Sequence, residues 1–206
     1  MTEQRRQSMS KTVIMMMGKS GCGKSTLERG LCSDVGLFKK VISVTTRPMR
    51  EGEVNGQDYY FVTNFEFDQL YHGDQMVQFT EFAGNRYGSL RAEYTTDHPF
   101  VTLVVVPYSA ATFAPVLKDT FEGINIFNIY FDISDERLRQ NMRKRGDTEE
   151  MITNRLANDD LDEQFKEHGL VAGYTVTDDL LDEYTTSRVR VWLNNTIGGF
   201  LSLIHI

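Results

Sequence analysis

The segment Gly18-Lys19-Ser20-Gly21-Cys22-Gly23-Lys24-Ser25 decides the class of fold, because it matches the pattern G-x-x-x-x-G-K-[ST]. An apolar run at residues 12–17 precedes it and a helical pattern follows, so we expect a buried strand, a phosphate-binding loop and a helix. Glycines let backbone N–H groups turn toward an anion, and the start of the helix adds the positive end of its dipole. In such a loop Lys24 reaches the β- and γ-phosphates of ATP, and the Ser25 hydroxyl ligates Mg²⁺. The predicted ATP-binding residues are Gly18, Ser20, Gly21, Cys22, Gly23, Lys24, Ser25 and Thr26.

The rest of the chain alternates strands and helices. The continuous apolar runs at 101–106 and 124–131 are typical of parallel strands buried on both faces. Short strands, turns and a hairpin around Gly84-Asn85 fill 47–91, which indicates a small β-rich lobe attached to the core. The sequence therefore predicts an α/β fold, with a three-layer parallel sheet core of the P-loop NTPase kind. It also predicts one strand over 40–46, one polar helix over 148–166 and a last helix from Asp178 through Trp192.

The composition of the chain indicates which classes of partner it can bind. The 206 residues fit one α/β domain, and 22 basic against 29 acidic side chains give a net charge of −7. A net acidic chain is a poor binder of nucleic acid or of a membrane surface, so we expect neither as a partner. Two cysteines, Cys22 and Cys32, cannot form a disulfide framework, which favours a reducing cytoplasm. We expect 1–11 to be a disordered arm, and 198–206 to be a tail with the run LSLIHI, which resembles a translated sequencing adapter.

A second group of motifs indicates what accepts the phosphate. The stretch Ser43-Val44-Thr45-Thr46-Arg47-Pro48-Met49-Arg50 leads into Glu51-Gly52-Glu53-Val54-Asn55-Gly56-Gln57-Asp58-Tyr59-Tyr60-Phe61, and Gly84-Asn85-Arg86-Tyr87-Gly88-Ser89 follows. These motifs resemble the guanylate kinase family, whose pattern is S-x-T-T-R-x-x-R, then G-E-x-x-G-x-D-Y-x-F, then G-N-x-Y-G-S/T. Arg145-Gly146 and Glu149-Glu150…Arg155-Leu156 resemble the lid segment of that family. The resemblance runs from about residue 12 to residue 181.

The resemblance implies one guanylate kinase-like domain over 12–197. Its core comprises 12–46, 92–135 and 167–197, its monophosphate-binding lobe 47–91, and its helical lid 136–166. The implied reaction is ATP-dependent phosphorylation of a (deoxy)nucleoside monophosphate, with GMP or dGMP as the family substrate. The implied partners are small-molecule nucleotides, and the implied assembly is a monomer or homodimer.

The residue types of the lobe suit a monophosphate. A phosphate dianion needs several donors, and the guanidinium groups of Arg47 and Arg50, three residues apart, suit bidentate contact. The resemblance implies that Tyr59 and Tyr87 complete the phosphate site. It places Ser43, Gln78 and Ser89 near the base, and it makes Arg145 and Arg155 the lid arginines. The family tends to carry an Arg at Asn141, for which Arg143 could substitute. The candidate catalytic residues are Lys24, Arg47, Arg145 and Arg155.

The sequence departs from the family at three positions. Gln78 stands where the family has a Glu that accepts from two guanine donors. An amide offers one acceptor and one donor, which suits adenine, 2,6-diaminopurine, cytosine or thymine better. Alternatively, a neighbour such as Glu81 takes the guanine edge. Val105 and Pro107 replace two acidic residues of the family, one near the metal and one near the base.

Two other classes of function stay open at this point. Guanylate kinase-like domains of scaffold proteins bind phosphorylated ligands without catalysis, although they tend to degrade the phosphate-binding loop that is intact here. A P-loop kinase acting on a sugar phosphate fits the paired arginines and tyrosines less well.

Overall fold

A five-stranded parallel sheet forms the core of the computed structural model, which describes residues 11–82, 84–157 and 160–197. The strands of the chain are β1 (Thr12–Gly18), β2 (Phe38–Lys40), β3 (Ser43–Thr45), β4 (Tyr60–Phe61), β5 (Met76–Phe82), β6 (Asn85–Leu90), β7 (Phe100–Val104), β8 (Asn125–Phe131) and β9 (Tyr174–Val176). The core order is β2-β7-β1-β8-β9, and β1 is buried along its whole length. Residues 1–10 of the predicted arm and the whole predicted tail, 198–206, lie outside the described residues.

Helices cover both faces of this sheet. The helices are α1 (Lys24–Cys32), α2 (Asn64–His72), α3 (Pro107–Thr120), α4 (Asp135–Arg145), α5 (Glu149–Ala157), α6 (Leu161–Glu167) and α7 (Thr185–Ile197). Successive side chains of a strand point to opposite faces, so Ile14 and Met16 pack with α1, α4 and α7, whereas Met15 and Met17 pack with α3. This arrangement confirms the predicted three-layer α/β core.

A four-stranded sheet of order β4-β3-β6-β5 forms the lobe. The predicted hairpin is confirmed, because β5 and β6 pair antiparallel on either side of Gly84. The predicted strand over 40–46 is wrong: β2 belongs to the core sheet, and β3 pairs with β4 and β6. The lobe's sheet therefore begins at Ser43, within the stretch that the sequence assigns to the core. The buried Glu93 carboxylate holds the bend, since it accepts from Ile42 N at 3.2 Å.

Three helices follow β8 in the predicted lid region. Ser134 caps α4 by accepting from Arg137 N at 3.3 Å, and Gly146 ends it at φ 95°. The predicted single helix over 148–166 is two helices, α5 and α6. The last helix begins at Thr185 rather than Asp178. A turn precedes it, in which the Thr185 hydroxyl donates to Leu180 O and accepts from Asp182 N. Within the described residues, no helix is long and apolar enough to cross a membrane.

Candidate active site

The phosphate-binding loop lies at the carboxyl edge of the central strand, between β7 and β8. This is where ligands bind in open parallel sheets. Gly18 leaves β1 at φ 138°, and a Cβ atom there would lie 2.8 Å from the Cβ and the carbonyl oxygen of Phe131. Gly23 has φ 104° immediately before α1. Both positions therefore require glycine, and the loop can turn its backbone N–H groups inward.

The Lys24 side chain crosses this loop. Its Nζ donates to Gly18 O at 2.5 Å and to Lys19 O at 2.9 Å, so the ammonium lies inside the ring of the loop's backbone. Ser25 and Thr26 occupy the first turn of α1, exposed to solvent, whereas Cys22 is buried in the core. The structure therefore brings Lys24 into the loop and leaves Ser25 exposed at the start of α1, and the roles of both residues stay a prediction.

One face of the lobe's sheet carries four of the seven predicted monophosphate-binding residues, Ser43, Gln78, Tyr87 and Ser89. Ser43 pairs with Ser89, and Ser89 pairs with Gln78, so these three lie side by side on β3, β6 and β5. Tyr87 is two residues from Ser89 and faces the same way. Glu81 alternates with Gln78 on β5 and therefore lies on the opposite face. The alternative in which Glu81 takes the base edge does not fit this alternation.

Arg47 is held beside this face by a carboxylate. Its Nη1 and Nη2 donate to Glu53 Oε2 and Oε1 at 3.0 and 2.7 Å, and its guanidinium lies 5.4 Å from the ring centres of Tyr59 and Phe61. The hydrogen bond from Arg47 lowers the pKa of Glu53, and the bond to Glu53 raises the pKa of Arg47. Arg50 is exposed, and its backbone N–H donates to Glu53 Oε2 at 2.7 Å.

The two predicted tyrosines meet next to Arg47. The rings of Tyr59 and Tyr87 pack edge to face with centroids 6.1 Å apart. Burial, together with the nearby Tyr87, raises the pKa of Tyr59. Tyr59 therefore keeps its hydroxyl proton at neutral pH and can donate a hydrogen bond to an anion. The structure thus brings Arg47, Tyr59 and Tyr87 together, as the sequence predicted.

The predicted lid arginines share one carboxylate. Asp147 Oδ2 accepts from Arg145 Nε at 3.0 Å and from Arg155 Nη1 at 3.1 Å. Arg143 instead donates to both oxygens of Glu149, at 2.5 and 3.0 Å, on the exposed surface. Asn141 Nδ2 donates to Gly21 O of the phosphate-binding loop at 2.9 Å. Asn141 itself therefore contacts the loop, and Arg143 pairs with Glu149 instead of contacting the loop.

Sequence reasoning missed a link between the loop and the lid region. Lys19 Nζ lies 3.0 Å from Asp162 on α6 and 3.3 Å from Asp135 on α4. Burial disfavours the charged amine, but the bond to Asp162 and both negative charges outweigh it and raise the pKa of Lys19. These residues are far apart along the chain, so only a charged residue inside an otherwise small-residue loop could have indicated the link.

Val105 and Pro107, which stand where the family has acidic side chains, lie next to the phosphate-binding loop. Val105 N donates to Met16 O at 3.1 Å, which extends the pairing of β7 with β1, and Pro107 opens α3. Among the residues that the structure describes, no group of three or more His, Cys, Asp or Glu side chains could hold a metal ion.

The loop on a parallel sheet, the arginine and tyrosine face and the helical lid region together define a P-loop nucleoside monophosphate kinase. A protein-family model described as guanylate kinase matches residues 9–191. The guanylate kinase of a Nostoc species is 37% identical over 149 residues, which are 72% of this chain and 74% of that protein. The guanylate kinase of Sus scrofa is 33% identical over 175 residues, or 83% and 87% of the two chains. The chain belongs to the guanylate kinase family.

A solved structure supports the fold. The crystal structure of guanylate kinase from Anaplasma phagocytophilum matches with a TM-score of 0.58 and 23% identity. The match covers 92% of this chain and 87% of that one. The chain therefore shares the fold of that protein over most of its length.

Proposed function

We propose that this chain transfers the γ-phosphoryl group of ATP to a (deoxy)nucleoside monophosphate and forms the diphosphate. The observation that carries the proposal is the face of the lobe on which Arg47, Tyr59 and Tyr87 meet, together with a glycine loop that holds Lys24. Such a set of donors suits a terminal phosphate dianion. The curated relatives are guanylate kinases by name, which supports a nucleotide as the acceptor.

The phosphate-binding loop is the proposed ATP site. Gly18 and Gly23 give the loop its left-handed turns, at φ 138° and 104°, and Lys24 supplies a positive charge inside the loop, so the residues fit a triphosphate. The exposed Ser25 hydroxyl would hold Mg²⁺, which neutralises charge on the β- and γ-phosphates when bound. In the transfer, a phosphate oxygen of the acceptor bonds to the γ-phosphorus as the bond to the ADP oxygen breaks. No covalent intermediate with the protein is needed.

The lid, 136–166, is the proposed source of further positive charge. Arg145 and Arg155, joined through Asp147, would stabilise the charge that spreads over the transferring phosphoryl oxygens. Closure of the lid and of the lobe, 47–91, would exclude water, which otherwise hydrolyses ATP.

Base specificity is the finer part of the proposal. The names of the relatives favour GMP or dGMP, whereas Gln78 and Pro107 stand where the family motif carries acidic residues. Pro107 has no side-chain donor or acceptor, so discrimination between bases falls to Gln78 and its neighbours. We also propose a cytoplasmic monomer or homodimer.

The proposal is tested by measuring ADP formation from ATP–Mg²⁺ with GMP, dGMP, AMP, CMP, UMP and dTMP added one at a time. We expect ADP formation to depend on one or more of these acceptors and to stop in EDTA. Equal ADP release without any acceptor would instead indicate an ATPase. Lys24→Ala serves as the control, since loss of the ammonium should abolish transfer.

A non-catalytic phospholigand-binding module is the second candidate, and the absence of an acidic side chain at Val105 favours it. The two candidates differ in their use of ATP. Calorimetric titration with ATP–Mg²⁺ separates them, because a module of that kind would bind GMP or a phosphopeptide but not ATP.

A further inference from the structure

Gln78 reaches from the lobe to the core. Its side-chain Nε2 donates to Thr112 Oγ1 on α3 at 3.2 Å. Its Oε1 is buried and has no hydrogen-bond partner among the residues that the structure describes. A buried carbonyl oxygen without a partner is unfavourable, so this atom points to a ligand that supplies an N–H.

Thr112 determines which end of the amide faces it. The Thr112 hydroxyl has one hydrogen, which it donates to Tyr108 O at 3.1 Å, one turn earlier in α3. Toward Gln78 that oxygen can therefore only accept, and only the amide nitrogen can lie against it. The Gln78 carbonyl oxygen consequently lies at the other end of the amide, away from Thr112.

This arrangement changes what Gln78 offers to a base. A glutamine free to rotate presents one donor and one acceptor, which opposes the adjacent N–H donors of guanine. With its nitrogen turned toward Thr112, Gln78 places its carbonyl oxygen at the end of the amide that faces the base, where the family has a carboxylate oxygen. It lies beside Ser43 and Ser89 on the face of the lobe that carries Tyr87. Ser109, on the same side of α3 as Thr112, has a second buried hydroxyl, whose oxygen has no hydrogen-bond partner within the described part of the chain.

We propose that Thr112 is a specificity-determining residue, which orients the Gln78 amide so that its carbonyl oxygen accepts from the base. The acceptor class is then a 6-oxopurine monophosphate, because guanine carries N–H donors at N1 and at its 2-amino group. Adenine carries an acceptor at N1 and is disfavoured. This inference rests on the proposed function, since it takes the same face of the lobe as the acceptor site.

The test compares GMP with AMP in wild type, Thr112→Val and Thr112→Ser, by kcat/KM with ATP–Mg²⁺ and by calorimetric binding of each monophosphate. We expect wild type to prefer GMP. Thr112→Val, which keeps the shape and removes the hydroxyl, should lower the GMP-to-AMP ratio about tenfold. Thr112→Ser should retain the ratio, and its melting temperature shows that the fold is kept.

A double-mutant comparison separates orientation from simple packing. In Gln78→Glu the side chain has two acceptor oxygens and no donor to orient, so Thr112→Val should change the ratio much less in that background. Equal changes in the two backgrounds, a wild-type preference for AMP, or an unchanged ratio in Thr112→Val would overturn the inference. Binding needs no turnover, so a protein that binds GMP selectively through Thr112 but transfers no phosphate would refute the proposed function alone.

Discussion

At the scale of single residues, Arg47 is oriented before any acceptor arrives. Glu53 contacts both terminal nitrogens of its guanidinium, and Tyr59 and Phe61 lie against its plane. A side chain fixed in this way loses little conformational freedom when it binds a phosphate. The fork of parallel N–H groups is specific to arginine, whereas lysine offers a point charge.

Arg47→Lys should therefore weaken binding of the monophosphate and spare ATP. Hydrogen bonds to charged groups contribute about 1.5–3 kcal/mol, so the KM for the monophosphate should rise by at least about tenfold. Steady-state kinetics with each substrate varied in turn measure this change. Arg91→Lys is the matched control, because Arg91 pairs with Asp74 elsewhere in the lobe. An unchanged KM in Arg47→Lys would place the acceptor phosphate elsewhere.

Glu28 makes stability depend on pH. It is buried on α1, accepts from Thr102 Oγ1 at 3.1 Å and lies 3.9 Å from Lys40 Nζ. Burial raises its pKa, in spite of Lys40 and Thr102. The stability linked to a carboxyl with a raised pKa is complete below its unfolded pKa and is lost as pH rises through the folded pKa.

Glu28→Gln should remove this loss. The free energy of unfolding of the variant minus that of wild type should grow as pH rises from about 4.5 to neutrality. Urea denaturation at several pH values measures the difference. Glu163→Gln, which removes an exposed carboxylate on α6, is the control for the substitution itself. A difference that falls with pH would mean that Lys40 outweighs burial.

At the scale of elements, the position of the lid arginines depends on Asp147, in the turn between α4 and α5. The motif around the lid indicated the two arginines, but not the carboxylate that joins them. Asp147 is mostly buried, with a side-chain exposure of 11%, whereas the Arg143–Glu149 pair of the same segment is exposed. Exposed ion pairs contribute little.

Asp147→Asn should lower kcat about tenfold with little change in the KM for the monophosphate, because the arginines lose the charge that aligns them for the transition state. Rapid kinetics and a melting curve distinguish misalignment from unfolding. Glu149→Gln breaks the neighbouring pair and should leave kcat unchanged. A variant at Asp147 with wild-type kcat would show that the shared carboxylate is not needed.

A helix, strand or loop could be predicted from the sequence where the residues of that element alone determine its structure. The apolar runs of β1, β7 and β8 and the glycine pattern of the loop act locally, and the structure confirms them. The bend between β2 and β3 depends on Glu93, 51 residues beyond Ile42, and Thr112 contacts Gln78 across 34 residues. No local pattern contains such contacts. The orientation of the Gln78 amide was therefore not predictable.

At the scale of the whole molecule, the positive side chains of the proposed sites matter more for phosphate binding than the net charge of the chain does. The chain has a net charge of −7, yet the loop contributes Lys24 and the lobe contributes Arg47 and Arg50. These side chains belong to two proposed binding sites, one after β1 of the core sheet and one after β3 of the lobe's sheet. Phosphate ligands at separate sites should each stabilise the fold.

A thermal shift measurement tests the separation of the sites. GMP and a non-hydrolysable ATP–Mg²⁺ analogue should each raise the melting temperature, by several degrees at about 100 times Kd, where binding contributes about 2.7 kcal/mol. Lys24→Ala should lose the shift with the ATP analogue and keep the shift with GMP. Loss of both shifts in that variant would indicate a single site.

The most direct measurement offers all acceptors at once. Wild type is incubated with ATP labelled in the γ-phosphate, Mg²⁺ and an equal mixture of GMP, AMP, CMP and UMP, and the labelled diphosphates are separated by chromatography. We expect the label to appear in GDP far above the other diphosphates, and Lys24→Ala to form none. Label that appears mainly in ADP through AMP, or only in free phosphate, would contradict the account.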